Sequence, residues 1–176
     1  MSSPERKLAR KGFAGAGLLA AGLSLSGCFQ PLYGTFSADG NVATELQAIE
    51  IDSVPGRLGH YLVNDLIFAF NGTGSHVAPK YRLIVSVREN VQTPLVDTVT
   101  GLASAASVVV NADYRLIPAQ GGEPIAKGVA VVAASYDRTS QRFANIRAAR
   151  DAEIRDAQTL SDQIHTAIAA ALATRG

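Results

Sequence analysis

Hydrophobic and polar residues follow different rhythms in successive stretches of this chain, and the rhythms predict the elements. Tyr81, Leu83, Val85 and Val87 alternate with Arg82, Ile84, Ser86 and Arg88. A period of two predicts a half-buried strand. A loop around Pro94 and Asp97 to Gly101 follows. Leu102 to Ile117 predicts a second strand, long and bent or bulged, with Val108, Val110, Ala112, Tyr114 and Leu116 on one face. Pro118 ends it, and Gly121-Gly122 makes a hairpin turn. Ile125 to Tyr136 returns as a third strand, with Val129, Val131 and Ala133 on one face. Pro118 and Pro124 cannot donate to a ladder, so pairing ends between them.

Helical spacing appears twice. Leu58, Tyr61, Leu62, Leu66, Ala69 and Phe70 recur every three or four residues, predicting an amphipathic helix over Arg57 to Phe70. Asn71-Gly72 suits a left-handed cap at its end. Gln141 to Ala173 predicts a long helix with the stripe Ala157, Leu160, Ile164, Ile168 and Leu172, extended upward by Phe143, Ile146 and Ile154. Leu46 to Val54 alternates only loosely and predicts a first strand on an exposed edge, broken by Pro55-Gly56. The fold class is therefore α+β, in the order β-α-β-β-β-α. A sheet of about four strands with both helices on one face buries the stripes.

The N-terminal stretch follows neither rhythm. Arg6, Lys7, Arg10 and Lys11 form a basic head, and Phe13 to Leu25 is an uncharged run of 13 residues. At about 1.5 Å per residue the run spans ~20 Å, short of the ~30 Å hydrocarbon core. It fits a signal-peptide core better than a transmembrane helix. Leu25-Ser26-Gly27-Cys28 closes it and resembles the bacterial lipobox, in which small residues admit a peptidase and the thiol accepts a diacylglycerol. Residues 1–27 are accordingly expected to be a lipoprotein signal peptide. Cys28 is the expected lipid-attachment site, bearing S-diacylglycerol and an N-acyl chain. Residues 28–44 form an irregular tether. Phe29, rather than Asp, after the Cys favours the outer membrane.

Composition sharpens this picture. The whole chain carries a net charge of +1; without residues 1–27 it carries −2. No basic surface for nucleic acid is implied. One Cys leaves no internal disulfide and no Cys-based zinc site, and the three His residues are scattered. No nucleophile elbow, phosphate-binding loop or zinc-protease motif occurs. Ser75-His76 are adjacent and poorly placed as a dyad, and Asp151 and Glu153 face different directions on a helix. Two features outside catalysis remain. Arg82, Arg88, Arg115 and Lys127 lie on predicted strands and could hold an anionic glycolipid, since basic forks match phosphates. The small-residue run Ala103 to Ser107 fits either an approaching partner or the protein's own helices.

Several segments together resemble the lipopolysaccharide-assembly lipoprotein family LptE in its alphaproteobacterial form. They are Cys28-Phe29-Gln30-Pro31-Leu32-Tyr33-Gly34, Arg57-Leu58-Gly59 with Leu62, Asn64 and Leu66, Ser135-Tyr136-Asp137, Gln141-Arg142-Phe143-Ala144, Arg150-Asp151-Ala152-Glu153, and Leu160 with Gln163-Ile164. Thr100-Gly101-Leu102-Ala103 departs from a basic, Thr-containing strand start in the family. The resemblance implies a non-enzymatic outer-membrane lipoprotein with residues 45–176 as its α+β domain, two helices on a four-stranded sheet. It also implies that the protein sits in the lumen of a large β-barrel, LptD, as plug and assembly partner. Such proteins support lipopolysaccharide transport and can bind lipopolysaccharide. No cofactor beyond the lipids on Cys28 is implied. The rival readings are an outer-membrane lipoprotein that serves another envelope complex and a lipid-anchored, periplasmic-facing enzyme.

Overall fold

A computed structural model of the chain describes residues 42–72, 74, 77–96 and 103–175. The signal segment, Cys28, most of the tether, the Ser75-His76 pair and Thr100-Gly101-Leu102 lie outside the described residues.

The elements are α1 (Val42–Gln47), β1 (Ile49–Ile51), α2 (Gly56–Asn71), β2 (Tyr81–Val96), β3 (Ala103–Pro118), β4 (Ala126–Asp137) and α3 (Arg142–Ala173). One mixed sheet has the order β1-β2-β3-β4. β1 runs parallel to β2, while β2, β3 and β4 form an antiparallel meander. α2 and α3 pack side by side over the sheet, α2 against β1 and α3 against β3 and β4. Arg57 meets Glu153 near one end of the helix pair and Phe70 meets His165 near the other, so α2 and α3 run in the same direction. Leu62, Leu66, Leu160, Ile164 and Ile168 are fully buried along the seam. Each contributes about 1.5–3 kcal/mol of transfer free energy.

The predicted order β-α-β-β-β-α is the observed one, with a short helix added at the front. Four details differ. First, β1 is only three residues long, and Leu46 belongs to α1, where it is buried with Val42. Glu45 on α1 accepts bonds from Lys80 Nζ and Tyr81 Oη, both at 2.7 Å, and so fastens α1 to the start of β2. Second, β2 does not stop in a loop at Pro94. The register runs from Gln92↔Ser107 to Leu95↔Ala105, so Thr93 and Pro94 together stand opposite a single residue. Such a bulge is where a strand tolerates a residue with no N–H. Third, the core face of β4 is Ala130, Val132 and Ala134. Val129 and Val131 are 62% and 54% exposed. Ala and Val occupy both parities of this strand, so alternation alone could not choose the face. Fourth, Gly72 is right-handed at φ −59°, and the left-handed turn comes later, at Gly74 with φ +69°.

The β3–β4 turn is as expected. Gly121 and Gly122 take φ +85° and +130°, which side-chain-bearing residues avoid, and the Gly121 amide donates to the Pro118 carbonyl at 2.8 Å.

A basic doublet on the open face of the sheet

Strand periodicity sends alternate residues to opposite faces. Leu83, Val85, Val108, Val110, Ala112, Ala130 and Val132 turn toward the helices. Arg82, Arg88, Arg115 and Lys127 all emerge on the other, exposed face. The four expected candidates therefore share one surface, but their surroundings differ.

Arg82 sits next to edge strand β1 and is fully engaged. Its Nε and Nη2 donate to the two oxygens of Asp52 at 2.6 and 2.9 Å. Arg88 donates from Nη2 to Asp113 Oδ2 at 2.7 Å, across the β2–β3 ladder. Arg115 and Lys127 stand directly opposite each other in the β3–β4 register. Neither has an acidic partner among the described residues. Like charges directly opposed on a sheet are unfavourable by a few tenths of a kcal/mol. A fold that keeps them there leaves an uncompensated positive spot. Arg88, Arg115 and Lys127 line one shallow depression of about 440 Å³, with Ile84 and Val129 as its apolar wall. Arg82 lies outside it. The site can hold an anion beside an aliphatic group.

A second cluster lies on the helix side, and the sequence reading missed it. Glu153 is 6% exposed and receives a two-pronged contact from Arg57, with Nε–Oε2 at 2.6 Å and a second bond from Nη2 to Oε1. Asp156 is 2% exposed, and its Oδ2 has no hydrogen-bond partner. Burial pushes its pKa up to about 6, against the pull of the Ala134 backbone and Arg155, and Glu89 adds to the rise. Glu89 is itself raised, by burial and by Glu153. The available signal was spacing: Glu153 and Asp156 fall three apart on the stripe of Ala157 and Leu160, where charge is unexpected.

The remaining candidates are dispersed. His60 bonds Asn64 at 3.2 Å on the surface of α2, and His165 is half-buried against the Phe70 ring at 5.3 Å. No group of three or more His, Cys, Asp or Glu that could hold a metal occurs among the described residues. Ala106, in the small-residue run, is buried beneath the helices, while Ser104 is exposed. Among the described residues no helix is long and apolar enough to cross a membrane.

The model of the family described as "LptE: Lipopolysaccharide-assembly" matches residues 44–168, spanning every described element from α1 into α3. The chain belongs to the LptE family. Membership carries with it a lipoprotein role in lipopolysaccharide assembly at the outer membrane. A Caulobacter crescentus protein designated a lipoprotein has a crystal structure that matches this LptE chain at TM-score 0.64 and 27% identity, over 78% of this chain and 98% of that one. The minor lipoprotein of Acinetobacter baumannii matches at TM-score 0.51 and 13% identity, over 69% and 90%, a likeness of fold alone. No curated relative matches. The family assignment agrees with the predicted resemblance, and the Caulobacter neighbour comes from an alphaproteobacterium.

Proposed function

We propose that this LptE chain delivers lipopolysaccharide to the cell surface as the plug and assembly partner of an LptD-type outer-membrane β-barrel. It acts by binding, as a non-enzymatic protein, and needs no cofactor beyond the acyl groups on Cys28. Those groups hold it to the outer membrane, two or more chains being required for stable anchoring. The domain occupies the barrel lumen, which in such barrels is polar. Its polar, ion-paired sheet face suits that setting.

The observation that supports glycolipid contact best is the Arg115–Lys127 doublet. It is a pair of cations without acidic partners among the described residues, beside Ile84 and Val129, in one depression. A phosphate with a neighbouring acyl chain satisfies both halves of such a site. Arg82 and Arg88, already bound to Asp52 and Asp113, play a lesser part.

Two measurements test this reading. The acylated protein, purified from outer membranes in detergent, is expected to bring a large β-barrel with it; recovery free of any barrel, or with another complex, overturns the plug. In lipopolysaccharide binding, Arg115→Glu with Lys127→Glu is expected to weaken affinity by roughly tenfold or more, since reversing a desolvated charge contact costs several kcal/mol. Arg82→Glu serves as comparison. Equal loss in both, or none in either, removes the doublet from the site.

A further inference from the structure

Among the described residues, β4 is an outer strand of the sheet, with only β3 beside it. Its ladder bonds fall on even-numbered residues, as the Arg138 amide donating to the Ser104 carbonyl at 2.9 Å fixes. The backbone groups of Val129, Val131 and Ala133 therefore turn outward from the sheet. The next outward carbonyl, that of Ser135, is already taken by Arg155 Nη2 at 3.1 Å. No described side chain bonds the other three. Beside this free stretch a groove of about 450 Å³ runs between β4 and α3, lined by Val131 to Ser135 on one side and by Asp156, Thr159 and Gln163 on the other.

Asp156 marks what the groove lacks. Its carboxylate is buried, and Oδ2 is unpartnered. The nearest cation, Arg155, is divided between Asp151 at 3.0 Å and the Ser135 carbonyl. Glu89 makes the surroundings more negative. We propose that β4 and this groove accept an added strand: an extended segment of the barrel partner, pairing with Val129 to Ala133 and sending a lysine or arginine to Asp156. Main-chain bonds at a free edge supply affinity, and pockets for alternate side chains supply selectivity. The partner assignment rests on the plug reading above.

A second copy pairing β4 to β4 does not supply that cation. An added strand reaches Asp156 with residues of its helix-facing parity, and in β4 these are Ala126, Gly128, Ala130, Val132, Ala134 and Tyr136. None is basic. Lys127 and the exposed Val129 and Val131 belong to the opposite face.

The test uses the full acylated protein in detergent, free and in complex with the barrel. Amide hydrogen exchange of residues 128–135 is expected to slow by about tenfold or more in the complex, because outward amides unprotected in the free protein become bonded. Ala133→Pro removes one outward donor and spares the β3 ladder, and Asp156→Asn removes the charge at constant shape. Both are expected to lower barrel recovery several-fold. Asp156→Asn guards against misfolding of the proline variant. Equal exchange in free and complexed protein overturns the added strand while leaving the plug reading intact. Failure to recover a barrel overturns the plug reading itself, and this assignment with it. A dimer with slow β4 exchange and no barrel present identifies a second copy as the occupant and also overturns the inference.

Discussion

Arg57 and Glu153 sit 96 residues apart in sequence, and together they fasten the first turn of α2 to α3. Glu153 is buried while Arg57 is about half exposed, so removing the arginine strands a carboxylate near Glu89. Arg57→Ala is expected to cost about 2–3 kcal/mol in equilibrium denaturation, less than a wholly buried pair because solvent still reaches the site. Adding Glu153→Gln should restore part of the loss. Asp156 behaves oppositely. Its folded pKa, about 6, lies above the ordinary 3.8, so the folded state holds the proton more tightly. Its contribution to stability is full below the unfolded value and is lost as pH rises through about 6. His165, whose pKa burial lowers, works against this, losing stability as pH falls below the ordinary histidine range. Asp156→Asn separates the two. It is expected to raise the melting temperature at pH 7.5 by a few degrees, from on the order of 1–3 kcal/mol of relieved burial. It should also steepen the fall in stability on acidification from pH 7 to 5. Thermal melts across that range check both.

Among the elements, α2 depends on a close approach at its start. A Cβ on Gly59 would lie 2.6 Å from the Val54 carbonyl oxygen and 2.7 Å from a Val54 methyl. Gly59→Ala gains ~1 kcal/mol of helix propensity and loses more to backbone overlap. A net loss of about 1–3 kcal/mol, measured by denaturant titration, is expected. The same scale shows how far the chain's pattern could be followed. α2, α3 and the first half of β2 were legible because each keeps one clean period over two turns or four pairs. α1 and β1 were not. Six and three residues are too few for a period, and they are held by Glu45, Lys80 and the pairing with β2. The extension of β2 past Pro94 was hidden because a proline signals an end unless a partner strand can bulge around it. For the candidate site, the shared face of Arg82 and Arg88 followed from parity within one strand. The Arg115–Lys127 pairing did not. Counting outward from Gly121-Gly122 sets Arg115 against Gly128, and the actual ladder is offset by one residue.

At the scale of the molecule, charge among the described residues is sorted by face of the sheet. On the open face of the sheet, Arg82 and Arg88 meet acids and Arg115 and Lys127 do not. On the helix side, acids outnumber their partners at buried Glu153 and Asp156 and at exposed Glu89. The proposed glycolipid site and the proposed strand-docking groove therefore want opposite charges, and they lie on opposite faces of the same strand pair. A polyanion competing for the first should leave the second untouched. Lipopolysaccharide binding is thus expected to be indifferent to Asp156→Asn, and barrel recovery indifferent to Lys127→Glu, when both are measured on the same preparations.

The centre of β4 has near-equal apolar content on its two sides, which bears on how this protein avoids error as it folds. Sliding β4 by one residue would exchange Ala130, Val132 and Ala134 for Val129, Val131 and Ala133, a change the core would scarcely register, but it would also carry Lys127, Ser135 and Asp137 to the helix side. Two further places make the slip sterically visible. One is Gly128, where an added Cβ would stand 2.5 Å from the Tyr114 hydroxyl, so a larger residue would have to push that ring aside. The other is the turn at Gly121-Gly122, whose length counts residues for the strand that follows. Proofreading of the hairpin is thus in part local and geometric. A single residue inserted at Gly121-Gly122 is expected to be taken up in the turn with the β4 register unchanged by nuclear magnetic resonance, because a slip would carry Lys127 and Asp137 to the helix side.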